Sequence, residues 1–331
     1  MGEISFDGRT LGVEPAESVL DALLRHGFDI SYSCRSGVCQ SCLMRVRRGT
    51  VPEAALVGLS EGARSRGAFL ACQARGVDAL EITRLDDQDL ESESVLASIV
   101  GKRRLAPDVV EIRVAPKAPF EARAGQYLSV VRPDGLSRSY SIASLPDRDG
   151  YLELHVRVVP GGAMSTFLAH DVEVGADLRI RGAAGDCCYV AGDLDRPLLL
   201  VGTSTGLAPL LGVIRDAMRH GHQGPIALFH GALDASGLYG RAELDRLVKE
   251  FEPLTVTYSA LRGIPSASDV RSEPLPELVA RTIPDLTGHR VYLCGAPDLV
   301  AAMRRDVFLR GADFHAIHAD AFVGRGMARS S

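Results

Sequence analysis

The rhythm of apolar and polar positions changes twice along this chain, and each change marks a different kind of layer. Near the start, Ile4 and Phe6, then Thr10, Leu11 and Val13, flank Asp7-Gly8, the pattern of two short strands joined by a turn. Val19, Leu20, Leu23 and Leu24 fall on one side of a predicted helix from Ser18 to His26, and Gly27 stops it. A loop over 31–42 and a strand-like run over 43–46 follow. From residue 95 the runs become short and β-rich, at 95–100, 109–114, 126–131, 140–143, 151–159 and 178–181, with Gly, Pro and Asp between them. That spacing predicts a small antiparallel barrel. In it Leu152, Leu154, Val156 and Val158 alternate with Glu153, His155 and Arg157, the pattern of a half-buried strand. After residue 193 continuous apolar strands, at 197–201, 226–230, 254–258 and 291–294, alternate with helical stretches ending near 219 and lying at 242–251, 277–281 and 298–309. Such alternation predicts a parallel, doubly wound sheet. The chain therefore divides at 1–90, 95–192 and 193–331, and the acidic run over 86–94 is either a solvated linker or a docking surface.

Composition narrows the function classes. With 331 residues, 46% of them hydrophobic and 24% charged, the chain can bury a core in each of two or three domains. A net charge of -5 supplies no electrostatic reason for nucleic acid. No apolar run approaches the length of a membrane span, and the opening MGEISFDGRT lacks the regions of a signal peptide. Seven cysteines, three of them crowded together, suit a metal site in a reducing compartment better than a disulfide framework, so a cytoplasmic location is expected, with a monomer as the default.

Cys34, Cys39 and Cys42 read Cys-x4-Cys-x2-Cys, and Cys72 follows at a distance. This is the spacing of a plant-type 2Fe-2S site, although zinc or buried free thiols would use the same residues. Ser33, Ser36, Gly37 and Ser41 leave room for backbone N–H groups to approach the sulfurs. Further on, Arg138-Ser139-Tyr140-Ser141 puts a guanidinium, a phenol and hydroxyls on one strand, a set able to grip a flavin or to form a plain surface strand. Gly161-Gly162 then opens a helix start through Met164, Ser165 and Thr166, where free N–H groups favour phosphate. The first strand of the last domain ends in Gly202-Thr203-Ser204-Thr205-Gly206, a loop at the carboxyl end of a parallel sheet, where ligands bind. Ser204 stands at the second glycine of the usual dinucleotide fingerprint. Asp234 follows the second strand with no arginine beside it, which favours NADH over NADPH. Cys187-Cys188 is either a redox pair or two buried strand thiols.

SYSCRSGVCQSC with the later FLACQ resembles the plant-type ferredoxin family. RSYS followed by GGAMS, and GTSTGLAP followed by YLCGAP, resemble the flavin and nicotinamide modules of the ferredoxin–NADP reductase superfamily. In this order the three modules resemble the iron–sulfur flavoprotein reductases of bacterial multicomponent oxygenases, of the naphthalene-dioxygenase type. The resemblance implies a multidomain fold: a β-grasp (α+β) ferredoxin domain, an antiparallel β-barrel flavin domain and an α/β doubly wound nicotinamide domain. It implies FAD, and a cofactor-binding set of Arg138, Ser139, Tyr140, Ser141, His155, Arg157, Gly162, Met164, Ser165, Thr166, Gly202, Thr203, Thr205, Gly206, Asp234, Cys294, Gly295 and Phe322. Thr205 and Cys294 would frame the nicotinamide as catalytic residues, with Cys294 positioning hydride transfer, and Phe322 would cover the flavin ring or anchor the core. Cys34, Cys39, Cys42 and Cys72 would hold the iron. Two departures stand out: Ala163 where some relatives carry lysine, and no proline in the Gly182–Gly185 turn. The implied route runs from NADH to FAD to the cluster, then to an intermediary ferredoxin or a terminal oxygenase. A diiron monooxygenase, a sugar-deoxygenation enzyme or a noncatalytic sensor role are the alternatives.

Overall fold

A computed structural model describes residues 2–28, 30, 32, 35–37, 40–59, 61–85, 94–262 and 269–322. Its strands form three separate sheets. The first contains β1 (Gly2–Phe6), β2 (Arg9–Val13), β3 (Leu43–Arg48), β4 (Ala68–Leu70) and β5 (Ala79–Thr83), in the order β2-β1-β5-β3-β4. Its β1 and β5 run parallel and the other pairs antiparallel, the mixed sheet expected of a β-grasp domain. Helix α1 (Val19–Arg25) begins where the Ser18 hydroxyl accepts the Asp21 N–H, a cap that satisfies a free donor of the first turn. Its Val19, Leu20 and Leu23 pack with Phe6 and Phe69 into a core belonging to this sheet alone.

The second sheet is entirely antiparallel. It contains β6 (Val95–Ala106), β7 (Val109–Pro116), β8 (Tyr127–Val131), β9 (Ser137–Ser141), β10 (Leu152–Arg157) and β11 (Asp177–Ala184), in the order β10-β7-β6-β11-β8-β9. An antiparallel bridge from Ile142 to Leu154, with the Ala143 N–H on the Glu153 carbonyl at 2.9 Å, joins the two edges and closes the barrel. The strand expected over 140–143 therefore lies earlier, at Ser137–Ser141, and carries the whole RSYS motif. The half-buried reading of β10 needs correction. Glu153 and His155 are 3% and 4% exposed, because the next domain covers the face that alternation assigns to solvent.

The third sheet is entirely parallel: β12 (Leu198–Thr203), β13 (Ile226–Asp234), β14 (Leu254–Arg262), β15 (Val270–Arg271), β16 (Arg290–Gly295) and β17 (Ile317–Ala321), in the order β15-β14-β13-β12-β16-β17. Sequence pattern did not foresee β17, since its IHADA is too polar to read as a strand. Apolar clusters cover both faces, Leu200, Leu211 and Ile214 on one and Leu199, Leu293 and Val307 on the other, the arrangement of a doubly wound fold. Each fully buried leucine contributes about 1.5–3 kcal/mol through removal from water. Among the described residues no helix is long and apolar enough to cross a membrane.

Candidate active site

The cysteine site is built at one end of a hairpin. Leu43 pairs with Leu70 across β3 and β4, so Cys42, just before one strand, and Cys72, just after the other, share an end. The Ala71 N–H donates to the Cys42 carbonyl at 3.1 Å, and both cysteines are 3% exposed. The Gln73 amide donates to the Cys72 sulfur at 3.3 Å and to the Arg35 carbonyl at 2.9 Å, tying the loop to the hairpin. Arg35 pairs with Asp21 at 2.9 Å and lies over the Tyr32 ring, so its charge already has a protein partner. Cys34 and Cys39 lie outside the described residues, as does most of the acidic run over 86–94. A thiolate donor set suits iron, and the shared hairpin end fits a cluster.

Ser41 connects this loop to the barrel. Its hydroxyl is buried, 2.9 Å from the Ser139 hydroxyl on β9 and 3.1 Å from that of Ser129 on β8. Two residues along β9, Ser141 reaches Asp320 on β17 at 3.5 Å, and Asp320 stands opposite Cys294 in the β16–β17 register. A five-residue strand thus spans from the cysteine loop to the end of the parallel sheet.

Of the residues predicted to hold a flavin, Arg138, Ser139, Tyr140 and Ser141 lie on β9. Burial holds the Tyr140 phenol far above its ordinary range, so it stays neutral, while Arg138, half-buried, donates to the Ser137 carbonyl at 2.8 Å. The short helix Ala163–Thr166 begins at Gly162, and no side chain caps it, which suits a phosphate. Ser165 serves that turn from within: its hydroxyl accepts the Val159 N–H at 3.1 Å and donates to the Gly162 carbonyl at 3.2 Å. Met164 is buried in the barrel core and Thr166 is exposed. His155 and Arg157 have other partners. Both ring nitrogens of His155 are taken, by Tyr239 at 2.9 Å and Glu153 at 3.0 Å, and Arg157 pairs with Asp108 at the surface.

His155 belongs to a network that pattern did not reveal. Arg215, on the helix Leu207–Arg219, donates to the Ala143 carbonyl at 2.6 Å and approaches Glu153 at 3.3 Å, and it also pairs with Glu243. Burial alone would raise the Glu153 carboxyl, but His155 and Arg215 outweigh it and hold the group down at about 2. The network fixes the nucleotide domain on the barrel.

At the carboxyl end of the parallel sheet, Gly202, Thr203, Thr205 and Gly206 run from β12 into a single helical turn at Ser204–Gly206. A side chain on Gly206 would lie 2.4 Å from the Cys294 carbonyl, so only glycine lets the two loops meet. The Ala296 N–H donates to the Thr203 hydroxyl at 3.2 Å, holding the segment after Gly295 against the first loop. Cys294 is fully buried, and burial raises its thiol. Phe322 is fixed by its N–H on the Gly295 carbonyl at 2.7 Å and is partly buried. Asp234 ends β13 in an exposed position, and the parallel register puts Arg262 of β14 opposite it, a cation that lies 28 residues away in sequence.

The sequence matches three families along its length: the 2Fe-2S iron-sulfur cluster binding domain over residues 4–76, the oxidoreductase FAD-binding domain over 97–189 and the oxidoreductase NAD-binding domain over 200–305. It is 33% identical, over 96% of its own length and 97% of the relative's, to the ferredoxin–NAD(P)+ reductase component of the naphthalene 1,2-dioxygenase/salicylate 5-hydroxylase systems of a Ralstonia species. The corresponding component of the Pseudomonas putida naphthalene 1,2-dioxygenase system is 31% identical over 97% and 98% of the two chains. Among solved structures, an Amycolatopsis cytochrome P450 reductase superposes with a TM-score of 0.66 at 28% identity, covering 98% and 99% of the chains. The ferredoxin reductase of a carbazole 1,9a-dioxygenase also gives 0.66, at 25% identity over 97% and 98%.

Proposed function

The chain belongs to the iron–sulfur flavoprotein reductases that serve multicomponent oxygenases, and from that premise we propose that it draws a hydride from NADH and passes single electrons through FAD and a 2Fe-2S cluster to a separate ferredoxin or terminal oxygenase. The observation that carries the reading is the position of β9. Ser139 meets Ser41, the neighbour of Cys42, and Ser141 meets Asp320, the partner of Cys294. A flavin held along this strand would lie between the donor end and the cluster end, and the two serines are about 7 Å apart at the usual strand rise.

When bound, FAD supplies the conversion between an electron pair and single electrons, while the protein binds, orients and tunes. Arg138 offers its guanidinium to the pyrophosphate, and the N–H groups after Gly162 offer theirs, with the turn shaped by Ser165. Ser139, Tyr140 and Ser141 line the strand as a neutral, hydrogen-bonding wall. Gly202, Thr203, Thr205 and Gly206 give backbone access to the nicotinamide nucleotide. Cys294, backed by Gly295, sets the position of the ring, and Phe322 covers the flavin face. Cys34, Cys39, Cys42 and Cys72 hold the iron. We assign these roles to units 1–90, 95–192 and 193–331 of a cytoplasmic monomer. NADH is assigned as the preferred donor, because the exposed Asp234 carboxylate at the end of β13 offers an acceptor to a free ribose hydroxyl, with Arg262 opposite it as the competing cation that a 2′-phosphate would use.

Anaerobic mixing with NADH tests the whole assignment. The expected result is bleaching of both flavin and cluster absorbance, a higher kcat/KM with NADH than with NADPH, and rapid reduction of cytochrome c as a one-electron acceptor. In Cys72→Ser the flavin should still be reduced by NADH while cytochrome c reduction collapses. Full acceptor reduction in that variant would remove the cluster from the route.

A further inference from the structure

Cys187 comes from the flavin barrel side and Cys294 from the nucleotide sheet, 107 residues apart, yet their sulfurs lie 3.2 Å from each other. Neither residue is a cluster ligand in the assignment above, and the hydride step uses only Cys294. The contact is set by rigid backbone on both sides. A side chain on Gly125 would lie 2.0 Å from the Cys187 carbonyl, so the barrel turn at Gly125 (φ 87°) packs directly on this residue. On the other side the Tyr292 hydroxyl donates to the Cys188 carbonyl at 3.0 Å. Cys294 itself is clamped in β16, between Gly202 of β12 and Asp320 of β17. The sulfurs need to close only about 1.1 Å to reach the ~2.05 Å of a disulfide.

We propose that Cys187 and Cys294 are a reversible dithiol–disulfide pair, closed by a hydroperoxide that enters at the nicotinamide end of the sheet. The Cys294 sulfur attacks a peroxide oxygen: an S–O bond forms, the O–O bond breaks, and the departing oxygen takes a proton to leave as water or alcohol. The Cys187 sulfur then attacks the Cys294 sulfur: the S–S bond forms, the S–O bond breaks, and the departing hydroxyl takes the Cys187 proton to leave as water. The two sulfurs lose two electrons in all, and the peroxide gains them. The first attack is assigned to Cys294 because it is the penultimate residue of β16, at the carboxyl end of the parallel sheet where ligands bind. The neighbouring sulfur and burial push the Cys187 thiol well up, and burial does the same to Cys294, so neither is a ready thiolate and the pair stays reduced at low peroxide.

The closed pair staples the barrel's exit segment to the nicotinamide strand. Resting on the reading of Cys294 as the residue beside the ring, it also draws that sulfur out of place; a displacement of about 1 Å slows a positioned reaction by up to roughly 100-fold.

The test uses the full holoprotein treated with hydrogen peroxide, then denatured, alkylated and digested with trypsin. The expected product is a linked pair of peptides, one beginning after Arg181 and the other after Arg290, which dithiothreitol separates. The link should persist in Cys188→Ser and vanish in Cys187→Ser. In parallel, reduction of the flavin by NADH should slow at least several-fold with peroxide and recover with dithiothreitol; in Cys187→Ser, where no sulfur resolves the Cys294 sulfenic acid, Cys294 should go on to sulfinic acid and the slowing should outlast dithiothreitol. In the unsubstituted protein, free thiols at both positions after treatment, a Cys187–Cys188 link, or Cys294 recovered only as sulfinic acid would each overturn the pair. Mass reads the link whatever Cys294 does in catalysis. A quantitative link that leaves the NADH rate untouched would instead sink the placement of Cys294 at the nicotinamide.

Discussion

At the scale of the residue, burial decides which groups keep a charge. His230 sits at the centre of the parallel sheet, fully buried, with its ring edge-on to Tyr239 and Tyr258. Burial lowers its pKa from 6.5 to about 4. The unfolded chain therefore takes up a proton below pH 6.5 that the folded chain refuses until about 4, so stability is full above 6.5 and falls as pH drops through that window. The loss amounts to about 3 kcal/mol, the pKa difference taken at 1.36 kcal/mol per unit. In His230→Phe the fall in Tm between pH 7 and pH 4.5 should shrink, as thermal melts at several pH values will read. Close approach matters as much at Gly206. In Gly206→Ala the added carbon collides with the Cys294 carbonyl, so the KM for NADH should rise steeply and stability should fall by about 1–3 kcal/mol. Steady-state kinetics with a urea melt will separate the two effects. The close approach at Gly206 was legible in the sequence because the glycine loop follows a recognisable strand. His230 was not, since nothing in a single apolar run says which of its polar members lies in mid-sheet.

Among elements, β10 and β17 show where pattern misleads. Alternation along β10 was correct as geometry, with Leu152, Leu154 and Val156 facing the barrel core. On the other face it held for exposed Arg157 but failed at Glu153 and His155, because the helix Leu207–Arg219 brings Arg215 onto Glu153. Arg215→Ala should therefore cost about 3–5 kcal/mol in a denaturant melt, the loss expected when a buried partner is left uncompensated. Glu153→Gln in that background should recover part of it, whereas additive losses would show that the two groups do not interact. β17 escaped pattern for the opposite reason: IHADA carries little apolar signal, and only its parallel pairing with β16 makes it a strand. The RSYS strand and the glycine loop, by contrast, were readable, since a motif of close-packed small and polar residues needs its own local backbone.

For the whole molecule, the arrangement of the three sheets joins the chemistry of one site to the next. Ser41 is the sharpest test of that arrangement, since its hydroxyl touches the barrel while its neighbour is Cys42, a proposed cluster ligand. In Ser41→Val, stopped-flow spectroscopy should show flavin reduction by NADH unchanged and the following reduction of the cluster slowed; an equal slowing of both phases would refute a contact role. The sequence by itself determined the barrel and doubly wound patterns, the cysteine spacing and the glycine loops, and its motifs carried the resemblance that implied the β-grasp class and the module order. Each depends on local spacing, and spacing is a property of neighbouring residues. Tertiary structure alone decided that Ser41 meets Ser139, that Arg215 meets Glu153, that Arg262 stands opposite Asp234 and that Cys187 touches Cys294. These contacts join residues from 28 to 107 positions apart, and their distance is set by how sheets pack and register, which no periodicity in the chain encodes.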